Sequence, residues 1–167
     1  MFEFLNLSDE QLLSEAEVDY SRASGPGGQK RDKTESAVRI YHPEVDLSAS
    51  CERTRSRHRN RELALRKLKI AYAIQTRHSF PREKFEVPEA LRQYVDNGLR
   101  IKTENPYYPF LLKLVLDLLE NSEGRISQVA DLLGVSTSRV VDFLKRKDRA
   151  FQEANSIRKK YDHSPLK

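Results

Sequence analysis

Cysteine is nearly missing from this 167-residue chain: Cys51 stands alone, so no internal disulfide can form, and a reducing cytoplasm is the expected setting. Long apolar runs are missing too. The longest candidate, Phe110–Leu119, falls well short of the ~20 residues that cross a bilayer and is broken by Lys113 and Asp117. No Lys or Arg precedes Arg22, which leaves the N-terminus without the basic start of a secretory signal or the Arg-rich face of a transit peptide. The histidines, His42, His58, His78 and His163, are scattered singly, with none of the close pairings that mark a metal site. The expectation is therefore no metal, no cofactor and no membrane span. Repeats and low-complexity tracts are absent as well.

Charge is present in quantity and unevenly placed. A third of the residues are charged, and the net charge is +5. Residues 1–21 hold six acids and no base, residues 22–70 sum to +7, and residues 71–167 sum to +4. A basic middle segment that also contains a glycine-rich loop points to a polyphosphate partner.

Local patterns divide the chain into two parts. Ser8 followed by Gln11 has the form of a capping box and predicts a short helix through about Glu15. Val18 and Tyr20, continuing into Ala23, alternate as a strand does. Ala37–His42 and Asp46–Cys51 alternate again, with Pro43 in the connection, and predict a hairpin. A long helix is predicted over 54–76, apolar at Leu63, Ala64, Leu68, Ala71 and Tyr72. Residues 77–89, with Pro81 and Pro88, look like a linker. Beyond it helices are predicted at roughly 89–99, 106–121, 126–133, 137–146 and 149–159. Within that half, 126–147 has helix-turn-helix form, with Ala130 before Gly134, Val140 after it, and Val129, Leu133, Val135 and Phe143 as the apolar contacts.

The sharpest local feature is Ser24-Gly25-Pro26-Gly27-Gly28-Gln29. Three glycines and a proline in five residues cannot form regular structure, and they favour backbone angles that other residues avoid. Lys30, Arg31 and Lys33 follow it. Arg53, Arg55, Arg57, Arg59 and Arg61 then alternate through the predicted strand-to-helix junction, a spacing that spreads them around a helix rather than aiming all at one partner.

Together these stretches resemble the catalytic domain of class I peptide chain release factors and their shortened ribosome-rescue relatives. Arg22–Gln29 matches the family's loop, and Thr34–Ile40 the strand after it. Ser50-Cys51-Glu52, Arg55–Arg61 and Ala64-Leu65 match the strand end and helix start, so that the likeness covers 22–69 without gaps. The implied fold is α+β: a release-factor-type domain at 1–76 with three to four strands and a long helix, a linker at 77–89, and an all-α region at 90–167. The implied activity is codon-independent hydrolysis of the peptidyl-tRNA ester by a cytoplasmic monomer acting in the large ribosomal subunit. Gly27, Gly28 and Gln29 are the implied catalytic residues. Paired glycines keep the tip bare enough for a crowded RNA cavity, and the Gln29 N–H would stabilise the oxyanion as water attacks. Ribosomal RNA phosphates would be met by Arg22, Lys30, Arg31, Lys33 and several of Arg53, Arg55, Arg57, Arg59 and Arg61. Asp32 departs from the family's usual Asn. With 26 residues ahead of the Gly-Gly-Gln, the expectation is that no stop-codon-reading domain precedes it.

For the C-terminal half the expectation is a docking module on RNA or a ribosomal or tRNA surface. It would use Arg139, Lys145, Arg146 and Lys147, with Arg149, Arg158, Lys159 and Lys160 nearby. The competing expectation is a non-enzymatic, ribosome- or nucleic-acid-binding regulator that uses the helix-turn-helix. Asp131 and Asp142 make that face thin for DNA readout.

Overall fold

Local rules explain the first elements. Ser8 Oγ accepts the Gln11 N–H at 3.1 Å and Gln11 Oε1 accepts the Ser8 N–H at 2.9 Å, which is the capping box expected from sequence. It opens helix α2 (Asp9–Ser14), preceded by the single turn of α1 (Glu3–Asn6). The computed structural model describes residues 2–21, 36–80 and 85–167, and these fall into two units, 2–72 and 73–167.

In the first unit, β1 (Glu17–Ser21), β2 (Ala37–His42) and β3 (Leu47–Cys51) form an antiparallel sheet in that order. Its register pairs Ser21 with Ala37 at one end and His42 with Leu47 at the other. The hairpin expected at 37–51 is present, but Asp46 is not in its strand. A 3-10 turn over Pro43–Val45 uses up the connection, and Asp46 closes it in the left-handed region at φ 49°, where a short polar side chain is tolerated. Val38, Ile40 and His42 alternate inward along β2, while Arg39 points to solvent.

The long helix α3 spans Arg57–Gln75 rather than starting at residue 54. Thr54 is held outside it by side-chain bonds, described below. Its buried stripe is Asn60, Ala64, Leu65 and Leu68, so that Leu65 and not the half-buried Leu63 faces the core. Phe4 stacks on Tyr72 at 4.4 Å, and Lys69 pairs with Asp9 at 2.9 Å, so α1 and α2 are both fastened to α3.

The second unit is helical: after the end of α3 come α4 (Glu89–Asp96), α5 (Tyr108–Asn121), α6 (Ile126–Leu133), α7 (Thr137–Leu144) and α8 (Asp148–Lys160). The apolar stretch at 110–119 is α5, buried on every side. Its two charged residues meet there: Lys113 Nζ lies 3.1 and 3.0 Å from the Asp117 carboxylate oxygens. Burial lowers the Lys113 pKa and raises that of Asp117, each partly offset by the other's charge. Lys113 also donates to the Thr76 carbonyl and Asp117 accepts the His78 N–H, both at 3.1 Å; Asn121 bonds His78 and Phe80. Residues 76–80, within or beside the segment expected as a linker, are thereby tied to α5. Gly134 ends α6 at φ 64° and Ser136 caps α7 through the Arg139 N–H. Among the described residues, no helix is long and apolar enough to cross a membrane.

Candidate catalytic loop and its basic junction

The residues singled out for chemistry, Gly27, Gly28 and Gln29, lie outside the described residues, as do Arg22, Lys30, Arg31 and Lys33. The described residues that flank them are Ser21 and Ser36. Ser21 closes β1 and Ala37 opens β2, directly opposite one another in the ladder, so the intervening chain leaves and rejoins the sheet at one point. Ser36, the last residue before β2, is 5% exposed.

What fixes that point is Asn60, which the sequence pattern did not single out as functional. Its side chain is fully buried in the first turns of α3. Asn60 Nδ2 donates to the Ser36 carbonyl and to the Thr54 carbonyl, both at 2.7 Å. Asn60 Oδ1 accepts the Thr54 N–H at 2.9 Å, the Thr54 hydroxyl at 3.0 Å and the weak Cys51 thiol donor at 3.7 Å. One amide thus joins the rejoining end of the loop, the end of β3 and the start of α3. Every polar atom of the amide finds a partner, as burial requires. The only available signal was an amide at a helical position in step with apolar Ala64 and Leu68, where a buried side chain has to be satisfied.

The arginines divide. Arg53 and Arg55 are exposed in the connection between β3 and α3, and among the described residues they make no ion pair or hydrogen bond. Arg57 lies over the Tyr20 ring at 4.7 Å, which places a guanidinium next to the departure end of β1. Arg59 pairs with Glu62 at 3.3 Å, and half-buried Arg61 approaches the His58 ring nitrogen at 3.5 Å. Two further cations join them at this end of the sheet, Arg39 on β2 and Lys67 on α3, whose Nζ donates to the Ser50 carbonyl at 2.7 Å. With Ser21, Ala37, Ser50 and Glu52 they line an open depression of about 420 Å³. Basic groups from β2, from α3 and from the connection between β3 and α3 therefore lie at the end of the sheet where the loop is anchored.

In the second unit, Arg139, Lys145 and Arg146 are exposed and Lys147 half-exposed. Arg146 is committed internally, donating to the Ile101 carbonyl at 2.6 Å with its guanidinium 5.5 Å from the Phe143 ring. Arg158 bonds the Gly124 and Ser164 carbonyls, and Lys160 pairs with Glu120. Burial opposes ionisation of Glu120, but hydrogen bonds from Lys160 and Tyr161 win and hold its pKa below the ordinary value.

Comparison with known proteins identifies the family. The RF-1 domain family profile matches residues 10–106, more than half of the chain, and the chain belongs to that family. Peptide chain release factor RF2 of Thermus thermophilus is 49% identical over 55 residues, which are 33% of this chain and 15% of that protein. Peptide chain release factor 1 of Streptomyces avermitilis is 35% identical over 88 residues, 53% of this chain and 25% of that one. The likeness to peptide chain release factor 1 of Salinibacter ruber extends over 142 residues at 27% identity, 85% of this chain and 39% of the relative. The chain thus spans from 15% to 39% of the length of these relatives.

Proposed function

We propose that this protein hydrolyses the ester bond of peptidyl-tRNA in the large ribosomal subunit, with Gly27, Gly28 and Gln29 at the reacting end and no codon required. The observation that carries this is the anchorage of the loop. Its two ends are paired in one ladder at Ser21 and Ala37, and its return is locked to α3 by fully buried Asn60, with exposed arginines alongside. An enzyme that must deliver a main-chain N–H to a developing oxyanion needs the base of its loop held while the tip enters an RNA cavity. Arg53, Arg55 and Arg57 suit contact with RNA phosphates, which positions the domain without reading sequence. On this reading the protein brings no acid or base of its own. Independence from the stop codon is part of this proposal, and it makes the protein a rescue factor for stalled or split ribosomes, binding as a monomer.

The test is peptide release from purified ribosomes stalled on an mRNA without a stop codon. Wild type is expected to release the peptide and Gln29→Ala to lose most of that activity while still cosedimenting with ribosomes. Equal release by the two would refute the mechanism; release only with a stop codon in the decoding site would refute codon independence.

The turn between α6 and α7 favours a second reading for the C-terminal half, as a helix-turn-helix that docks on nucleic acid. Thr137, Ser138 and Arg139 are exposed at the start of α7. With Arg146 committed to Ile101, the face retains Arg139, Lys145 and Lys147, few cations for independent duplex binding. Gel shifts on duplex DNA against ribosome cosedimentation separate a regulator from a rescue enzyme.

A further inference from the structure

We propose that Glu15, His42 and Glu44 form a binding site for a divalent transition metal, Zn²⁺ being the ion their chemistry suits. Nothing in their spacing along the chain announces it. The fold brings them together: Glu15 caps the end of α2, His42 is the last residue of β2, and Glu44 sits in the 3-10 turn that follows. One ligand atom from each lies within 4.8 Å of the others.

Two independent observations point to a bound cation. The first is His42 itself. Its side chain is fully buried, yet among the described residues neither ring nitrogen has a hydrogen-bond partner. Its Nε2 faces Glu15 Oε2 at 3.5 Å, longer than a good hydrogen bond. Buried polar nitrogens without a partner are costly. A metal ion takes up the nitrogen lone pair that no protein donor reaches.

The second observation is the carboxylate pair. Glu15 and Glu44 are exposed, and among the described residues neither is paired with a Lys or Arg. Glu15 is one of the six acids of residues 1–21, a stretch with no Lys or Arg. Two carboxylates converging on one histidine repel each other unless a cation lies between them.

The geometry is close to what Zn²⁺ requires. Zn–N and Zn–O bonds of about 2.0–2.2 Å put tetrahedral ligand atoms roughly 3.3–3.5 Å apart. The His42–Glu15 separation already matches, and the exposed Glu44 side chain can swing to close the remainder. The histidine is preorganised: its backbone is paired with Leu47, and its ring is held against Phe4 at 5.0 Å and 79°. One imidazole with two carboxylates favours Zn²⁺ over the all-oxygen demands of Mg²⁺ and Ca²⁺. Three protein ligands leave a fourth position for water. His42 stands at the end of β2 opposite to Ala37, about 17 Å along the strand at ~3.3 Å per residue, so the ion is a clamp on α2 and the hairpin rather than a participant at the loop.

The test uses tag-free, full-length protein stripped with chelator and returned to chelator-free buffer. Zn²⁺ is titrated by calorimetry, Co²⁺ by its visible absorption, and melting is followed with and without Zn²⁺. Saturable one-to-one Zn²⁺ binding is expected, with a Co²⁺ band typical of low coordination number and a melting temperature that rises on Zn²⁺ addition. Glu15→Gln and Glu44→Gln, both at exposed positions, should each weaken Zn²⁺ binding at least tenfold, a loose bound for removing one of three ligands. Their metal-free melting should match wild type or rise, since a like charge is removed. His58→Ala controls for the exposed His58–Glu62 pair on α3 and should leave binding intact. Absent saturable binding, unchanged affinity in either Glu variant, or binding lost in His58→Ala would each overturn the proposal.

Discussion

Asn60 is the residue on which the geometry of the loop's base turns. Replacing it with Ala strips the amide's bonds from the Ser36 and Thr54 carbonyls and from the Thr54 N–H, while the Thr54 hydroxyl keeps the Ser56 carbonyl. Buried groups left unpaired cost roughly 1–3 kcal/mol each, and partial relaxation puts Asn60→Ala at about 3 kcal/mol in urea denaturation. Asn60→Asp is the sharper probe. It keeps the acceptor but turns a carboxylate toward two carbonyl oxygens, so at neutral pH it should be at least as damaging as Ala. Part of that loss should return on acidification, when the protonated carboxyl can again donate to one carbonyl. Equal stability of Asn60→Asp and wild type at neutral pH would mean that the amide does not hold these segments. The amide lay within the stretch that resembles the release-factor family, but as a letter among arginines it gave no sign of burial. Its role depends on Ser36, 24 residues away, reaching the same point in space.

Among the elements, α5 tests how a buried ion pair is tolerated. Lys113 and Asp117 are almost completely buried one helical turn apart, and they also hold the Thr76 carbonyl and the His78 N–H. Lys113→Met alone strands the carboxylate and should cost about 3–5 kcal/mol by denaturant unfolding, whereas Lys113→Met with Asp117→Leu should recover most of it. A double variant no better than the single would mean that the bonds to residues 76–78, not charge compensation, dominate. In sequence these two residues read only as interruptions of an apolar run. The elements themselves were legible where local rules fix them: the capping box at Ser8, the alternation of β2 and β3, the span of α6 and the start of α7. Boundaries moved where tertiary bonds outweigh pattern. Thr54 is drawn out of α3 by Asn60, and Asp46 leaves β3 because the turn needs a left-handed residue. The cluster of Glu15, His42 and Glu44 was illegible for the same reason, since strand register and not spacing creates it.

For the molecule as a whole, the question is which of its 30 Lys and Arg residues remain free to meet a polyanion. Many do not. Lys69 pairs with Asp9, Arg77 with Glu153, Lys113 with Asp117 and Lys160 with Glu120, while Arg146 and Arg158 are bound to backbone carbonyls. Cations used in this way contribute to stability and offer little to RNA. Arg53 and Arg55 are the opposite case: exposed, on either side of Thr54, which shares the Asn60 amide with Ser36, and without a partner among the described residues. Arg53→Ala with Arg55→Ala should therefore leave the melting temperature unchanged and weaken ribosome binding. Each lost phosphate contact should also reduce the slope of log affinity against log salt by roughly 0.7–0.9. Arg158→Ala should do the reverse, lowering the melting temperature while leaving the salt slope alone. On the proposed mechanism, in which these cations position the domain and the Gln29 N–H acts on the ester, peptide release at saturating protein should survive in the arginine double variant. If release at saturation fell as far as in Gln29→Ala while binding held, those arginines would belong to the reacting site and the division between docking and chemistry would be wrong.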